Sequence, residues 1–252
     1  MEIKNVSFSY GNDFGLNDVS FKIPEGKITT ILGANGSGKT TLLKVMTKAL
    51  KPSNGTITLG GKNISGISLH DFAKQVAVVQ QYNSAPKDMK VKEIVSFGRT
   101  PHIERFKGQT AKDLKIVNWA MEAVDVKKYS DRVSSTLSGG QLQRVWLGMS
   151  LAQKSKVLFL DEPSTHLDIK YQIKILNLIK KLNRDFGTTI VIILHDINQA
   201  IHYSDYLIGL NNGEKVLQGE PREIISSENL KKIYDIDLKV IKDGDDSFVL
   251  SH

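Results

Sequence analysis

A glycine-rich loop near the N-terminus has the residue types and spacing of a phosphate-binding site. Segment 33–40, GANGSGKT, matches G-x-x-x-x-G-K-[ST] at every fixed position, after a predicted strand and at the start of a predicted helix. Glycines allow backbone N–H groups to point at phosphate oxygens, and the helix N-terminus adds positive potential. Lys39 would neutralise the β- and γ-phosphates, and the Thr40 hydroxyl would bind Mg²⁺. The pattern predicts nucleotide binding by Gly33, Asn35, Gly36, Ser37, Gly38, Lys39, Thr40 and Thr41.

Two adjacent carboxylates end a second apolar strand, segment 157–162, VLFLDE. Asp161 would hold Mg²⁺ through its water shell, and Glu162 would act as a general base on the attacking water. Acids that merely face solvent at a strand end are the alternative, and the glycine-rich loop favours the catalytic interpretation. His195 follows another predicted strand, 188–194, and its place one β/α unit later suits a contact to the γ-phosphate. A structural histidine is the alternative there.

A second anion site is predicted in segment 137–144, LSGGQLQR. Ser138 would cap a helix, and the two glycines would leave backbone N–H groups accessible at its N-terminus. One nucleotide does not need two such loops far apart in sequence. A dimer that holds ATP between the loop at 33–40 of one subunit and this segment of the other does need both.

These segments, with DEPSTHLD at 161–168 and HDINQA at 195–200, resemble the ABC ATPase family over about residues 1–221. The resemblance implies an α/β fold: a P-loop NTPase (RecA-like) ABC ATPase core with an antiparallel β-subdomain and an inserted α-helical subdomain. It also implies ATP and Mg²⁺ as cofactors and hydrolysis of ATP to ADP and phosphate.

The resemblance also gives roles to individual residues. Tyr10 would stack on adenine, with packing on the core as the alternative. Gln81 would contact Mg²⁺ and the attacking water, although Gln80 stands where the family usually has proline and is the alternative contact. Asp168 would couple the two sites of the dimer. The expected catalytic residues are Glu162, His195 and Gln81; the Mg²⁺ ligands are Thr40, Gln81 and Asp161; and the trans ATP-binding residues are Ser138, Gly139, Gly140 and Gln141.

Three local sequences resemble the importer ATPases for iron–siderophore complexes, haem and vitamin B12. They are GRTPH at 98–102, THLD at 165–168 and HDINQA at 195–200, and the short tail after Pro221 fits the same branch. The resemblance implies a homodimer, an integral membrane permease, an indirect substrate-binding partner and no nucleic acid. It places the chain on the cytoplasmic face of the membrane. Another importer class, for metal ions or amino acids, and a non-transport ABC ATPase are the alternatives.

The elements that must position these residues alternate between strand and helix patterns. We expect a single ABC ATPase domain over 1–252, with its nucleotide-binding lobe at 1–87 and 152–220. The period changes to helical between these parts, where Leu114, Val117, Met121 and Val124 recur on one face. The other expected parts are the helical subdomain with the LSGGQ segment, 88–151, and a short C-terminal helix and hairpin, 221–252.

Composition narrows the possible classes of protein. The 252 residues include no cysteine, which excludes disulfides and thiolate metal sites and fits a reducing compartment. The net charge is +7, but the lysines are scattered, which favours a solvated surface over a dedicated polyanion-binding patch. A mild basic bias would also suit a protein held against an anionic membrane leaflet. We expect no signal peptide, and no apolar run approaches the ~20 residues that cross a bilayer.

Overall fold

The computed structural model describes residues 1–11, 15–84, 86–104, 107–165, 167–244 and 246–250. The chain divides into two compact units, one formed by Met1–Ile67 with Thr189–His252 and one by Ser68–Thr188. The segment predicted as helical, 88–151, lies within the second unit. Among the described residues, no helix has both the length and the hydropathy needed to cross a membrane.

Strands and helices are numbered in chain order. The strands are β1 (Glu2–Ser9), β2 (Gly15–Lys22), β3 (Ile28–Leu32), β4 (Asn54–Leu59), β5 (Lys62–Asn63), β6 (Val76–Val79), β7 (Val157–Asp161), β8 (Thr189–Ile193), β9 (Tyr206–Asn211), β10 (Glu214–Gly219), β11 (Lys239–Asp243) and β12 (Asp246–Leu250). The helices are α1 (Lys39–Met46), α2 (Leu69–Ala73), α3 (Val91–Ser96), α4 (Ala111–Ala123), α5 (Gly139–Ala152), α6 (Ile169–Phe186), α7 (Ile197–Tyr203), α8 (Pro221–Ile224) and α9 (Ser227–Tyr234).

The first unit contains both antiparallel and parallel strand pairing. Strands β2, β1, β4 and β5 form an antiparallel sheet in that order, and β1 and β2 each bury some residues and expose others, without strict alternation. Strand β3 lies parallel to both β8 and β9, and β10 continues from β9 as an antiparallel hairpin. Strands β3 and β8 are buried along their whole length, as is typical of strands inside a parallel sheet. Strands β11 and β12 form the predicted C-terminal hairpin.

The second unit combines the parallel pair β6 and β7 with a helical cluster of α3, α4 and α5. The predicted apolar face of α4 is buried at Val117, Met121 and Val124. Leu114 is 51% exposed, so the face is one turn shorter than the spacing predicts.

The GRTPH segment ties the region after β6 to the C-terminal end of α5. A Cβ at Gly98 would overlap the backbone carbonyl of Met149. The two backbone segments therefore approach too closely for any residue with a side chain at position 98. Arg99 donates from Nε to the Asp113 carboxylate at 2.9 Å and from Nη1 to the carbonyl of Ala152 at 2.8 Å. The His102 ring donates to the carbonyl of Gln153 at 2.7 Å. The segment therefore has a packing role independent of any cargo.

The buried ion pair between Arg99 and Asp113 contributes stability that is lost at acidic pH. Two hydrogen bonds from Thr110 and the neighbouring guanidinium lower the pKa of Asp113 to about 2. Because the folded pKa is below the unfolded value, this stability is present above about pH 4 and is lost as the pH falls towards 2. We expect Asp113→Asn to lower the free energy of unfolding by about 1–2 kcal/mol at pH 6, and by much less near pH 2.5. Denaturant melts across this range check the convergence, with the exposed Asp88→Asn as the control; a constant difference would contradict the assignment.

Candidate ATP-binding and hydrolysis site

The first unit contains the glycine-rich loop, and the conformation of this loop depends on its glycines. Gly36 and Gly38 have φ values of 83° and 98°, in the left-handed region that favours glycine. A Cβ at Gly33 would overlap both the Ser37 hydroxyl and the carbonyl of Leu210. The loop therefore curls tightly between β3 and α1, and α1 begins at Lys39, as the sequence predicts.

Lys39 is held inside this loop. Its side chain is only 6% exposed, and Nζ donates to the carbonyls of Gly33 and Ala34 at 2.9 and 2.8 Å. These contacts keep the ammonium close to the backbone that would surround a phosphate. A phosphate group offers stronger, charge-assisted acceptors than two carbonyls.

Tyr10 presents an aromatic face at the edge of the same unit. Its ring is 51% exposed and meets Phe8 edge-on, with the ring centroids 4.8 Å apart. The hydroxyl lies 3.5 Å from Oγ1 of Thr41, which connects it to the helix that follows the loop. A half-exposed, oriented ring is suited to stacking on a base, and it is less consistent with a residue packed fully into the core.

In the second unit, β7 ends at Asp161, the first of the two predicted carboxylates, and Glu162 follows directly. Asp161 is buried, and Glu162 has a φ of 50°, in the left-handed region where a residue with a side chain is strained. Gln81 donates from Nε2 to Oε2 of Glu162 at 2.6 Å, and the Thr165 hydroxyl donates to the same oxygen at 3.2 Å. The structure thus brings Gln81 to the carboxylate. Thr165 was not singled out from the sequence, although it lies three residues after Glu162.

Gln80 is engaged differently from Gln81. Its backbone N–H donates to Oδ1 of Asn83, and its carbonyl accepts from Nδ2 of the same residue. This local loop leaves Gln81 as the glutamine directed at Glu162.

The LSGGQ segment also begins a helix, and the predicted cap at Ser138 is confirmed. The Ser138 hydroxyl accepts from the backbone N–H of Gln141 at 3.3 Å, and the Gln141 amide oxygen accepts from the N–H of Ser138 at 2.9 Å. Gln141 also donates to the Tyr129 hydroxyl at 3.2 Å, a partner that the sequence analysis did not identify. This capping box holds the start of α5, with Gly139 and Gly140 in its first turn, in a fixed conformation.

The last two predicted residues lie at starts of other helices. Asp168 caps α6 by accepting from the N–H of Tyr171 at 3.0 Å, so it has a local structural role whether or not it couples two subunits. His195 is exposed between β8 and α7, and the next residue, Asp196, caps α7 through Gln199. His166, in the THLD segment, lies outside the described residues.

Each unit offers one half of the chemistry of phosphoryl transfer. The first provides a lysine, a curled backbone and an aromatic ring suited to a nucleotide. The second provides a carboxylate that two donors orient, and an oriented carboxylate can accept a proton from water.

Comparison with known proteins agrees with this chemistry. The family model described as ABC transporter matches residues 16–165. The iron(3+)-hydroxamate import ATP-binding protein FhuC of Bacillus subtilis is 39% identical over 96% of this chain and 90% of its own length. The petrobactin import ATP-binding protein FpuC of Bacillus anthracis is 39% identical over 98% of this chain and 91% of its own length.

A solved structure shows the same fold. The dimeric ATP-binding cassette MJ0796, in a post-hydrolysis state with ADP and phosphate bound, has a TM-score of 0.74 and 27% sequence identity. The match covers 88% of this chain and 98% of that one. The chain has the P-loop NTPase fold of the ABC cassettes and their ATPase activity, and it belongs to the ABC transporter family as an ATP-binding subunit.

Proposed function

We propose that the chain hydrolyses ATP to power uptake of an iron–siderophore complex through a separate membrane permease. The relatives that carry this proposal are import ATP-binding proteins for iron(3+)-hydroxamate and petrobactin, matched over more than nine-tenths of this chain. The proposal includes a substrate-binding protein on the other side of the membrane, and a peripheral position on the cytoplasmic face. The relatives are the observation that favours an iron–siderophore complex over haem or cobalamin.

In this proposal Glu162 is the general base, and Gln81 and Thr165 position it. His195 contacts the γ-phosphate. Thr40, Asp161 and Gln81 hold Mg²⁺, because all three offer oxygen donors, which Mg²⁺ prefers. Gln81 fits this role in particular, since its amide nitrogen is used on Glu162 and its carbonyl oxygen is the remaining polar atom of the side chain. When bound, Mg²⁺ offsets the negative charge of the β- and γ-phosphates.

The proposed active form is a homodimer in which each ATP lies between two chains. Lys39 and the P-loop of one chain bind the phosphates, and Ser138, Gly139, Gly140 and Gln141 of the other close the site. The capping box of α5 supports this arrangement, because it fixes a helix N-terminus that attracts anions. Asp168 would link the two sites.

A groove in the second unit supports a permease partner. The groove has a volume of about 360 Å³, and its lining includes Tyr82, Asn83 and Ser84, which follow Gln81 in the chain. Its exposed aromatic residues are Tyr82 and Phe97, with 72% and 53% of their surface accessible. Trp146 and Met149 of α5 form another wall, so an apolar permease helix seated here would touch both the loop that follows Gln81 and helix α5. Movement of the permease would thereby be transmitted both to Gln81 and to the LSGGQ segment at the start of α5.

Uptake by cells tests the cargo. Deleting the gene should abolish uptake of ⁵⁵Fe supplied as a hydroxamate or catecholate siderophore, because the proposed ATP hydrolysis powers this uptake. The wild-type gene should restore uptake, and a Glu162→Gln copy should not. Haem and cobalamin uptake are measured in the same strains. Unchanged uptake of both iron–siderophore complexes would contradict the proposal, and a loss confined to haem or cobalamin would replace its cargo.

A further inference from the structure

The last residue of α9, Tyr234, carries a buried phenol that the proposed mechanism does not use. Its hydroxyl oxygen has no hydrogen-bond partner among the described residues. A buried hydroxyl without a partner is unfavourable by comparison with a phenylalanine of the same shape. Such a group in a native structure calls for an explanation in function.

Helix α9 is fixed firmly enough to place this hydroxyl accurately. Ile233 packs against Gly209 in β9, leaving no room for a side chain there. Asn211, at the end of β9, donates from Nδ2 to the carbonyl of Lys232 and to Oδ2 of Asp235, both at 3.1 Å. These bonds bracket Tyr234 on either side and attach it to the strand next to β3.

The surroundings of the hydroxyl belong to two segments of the ATP site. Burial raises the pKa of Tyr234, the N–H of Gly33 opposes this shift, and the charge of Asp196 adds to it. Gly33 is the first residue of the P-loop and lies against the carbonyl of Leu210, between the two β9 residues that hold α9. Its N–H is directed towards the phenol oxygen. Asp196 follows His195 and caps α7. The phenol therefore lies close to the P-loop and within range of the charge at the start of α7.

The same α7 is attached to the C-terminal hairpin. Asn198 donates from Nδ2 to the carbonyl of Val249 at 3.0 Å and accepts from the N–H of Val249 at 2.8 Å. Two complementary bonds to one residue fix the orientation of the side chain. The chain is thus attached to β9 next to Tyr234 and to α7 further along, at the hairpin.

We propose that Tyr234 is a positioning residue of the ATP site, whose hydroxyl accepts a hydrogen bond from the Gly33 N–H and holds the P-loop in its nucleotide-binding conformation. A slight inward movement of the loop around phosphate completes this bond. This inference rests on the proposed nucleotide role of the P-loop.

Tyr234→Phe removes only the oxygen and tests the proposal. We expect Kd for ATP to rise about two- to tenfold, the loss of one hydrogen bond. Kd for free triphosphate should rise by the same factor, because the effect acts through the phosphate loop. The melting temperature should stay the same or rise, since an unpaired buried hydroxyl is lost. In the permease complex, KM should rise with little change in kcat. Isothermal titration and thermal melts give the two binding constants and the stability.

Three further variants separate the possible outcomes. Tyr206→Phe, another tyrosine of the same unit, should leave both affinities unchanged. Tyr10→Ala should weaken ATP binding but not triphosphate binding. If Lys39→Ala abolishes binding and Tyr234→Phe changes neither Kd, the positioning role is wrong while the P-loop role stands. If Lys39→Ala also leaves both Kd values unchanged, the nucleotide role itself fails. Equal losses of affinity and stability in Tyr234→Phe and Tyr206→Phe would also overturn the proposal.

Discussion

Glu162→Gln should bind ATP and lose nearly all turnover, by about 10²–10⁴-fold. The amide has the shape of the carboxylate, so the hydrogen bonds from Gln81 and Thr165 can still form on its oxygen. A neutral amide cannot accept the proton of the attacking water. The variant should therefore trap the nucleotide-bound dimer, which size-exclusion chromatography in ATP and Mg²⁺ would detect as a larger species.

Steady-state phosphate release and ATP titration measure the two halves of this result. Glu122→Gln, an exposed acid on α4, controls for loss of charge and should keep wild-type turnover. Hydrolysis by Glu162→Gln at the wild-type rate would exclude Glu162 as the general base. Loss of ATP affinity with the activity would point to a binding role instead.

Mixing two inactive variants should restore activity if each ATP lies between two chains. Lys39→Ala damages the phosphate loop, and Ser138→Arg blocks the helix N-terminus that would close the partner's site. Each homodimer then has two damaged sites, whereas a heterodimer has one site with both lesions and one intact site. With equal amounts and independent sites, the mixture should reach about a quarter of wild-type activity.

The measurement is ATPase activity with the permease present, as a function of heterodimer fraction determined by differential tags. Coupling between sites, through Asp168, would lower the recovery. Mixing each variant with wild type gives the activity of a dimer with one intact site. If those dimers are active and the mutant pair is inactive, the shared-site model is wrong.

Much of the fold follows from local sequence. The apolar runs of β3 and β8 are flanked by turn residues, and the glycine-rich loop identifies the strand before it and the helix after it. Strand β6 was not predicted, because four apolar residues without alternation do not separate a strand from a short buried helix. Its parallel partner β7 is about eighty residues later, and this pairing stabilises it.

Some residues of the candidate site could likewise be predicted from local sequence, and others could not. Motif residues such as Lys39 and Glu162 are recognisable because their chemistry requires a fixed local spacing. The choice between Gln80 and Gln81 depends on where a loop turns, and the bonds to Asn83 that decide it are not visible in the spacing. Tyr234 lies two hundred residues from Gly33, so no local pattern could associate them.

Because Glu162 has a left-handed backbone conformation, selection for stability and selection for activity favour different residues at this position. Glycine, and to a lesser degree asparagine, adopts this conformation more easily than glutamate, and relief of such strain is worth on the order of 1 kcal/mol. A library screened for heat resistance or soluble yield alone would therefore enrich replacements at this position, each of which removes the proposed base. Stabilising this subunit without inactivating it requires that ATP turnover be scored in every round.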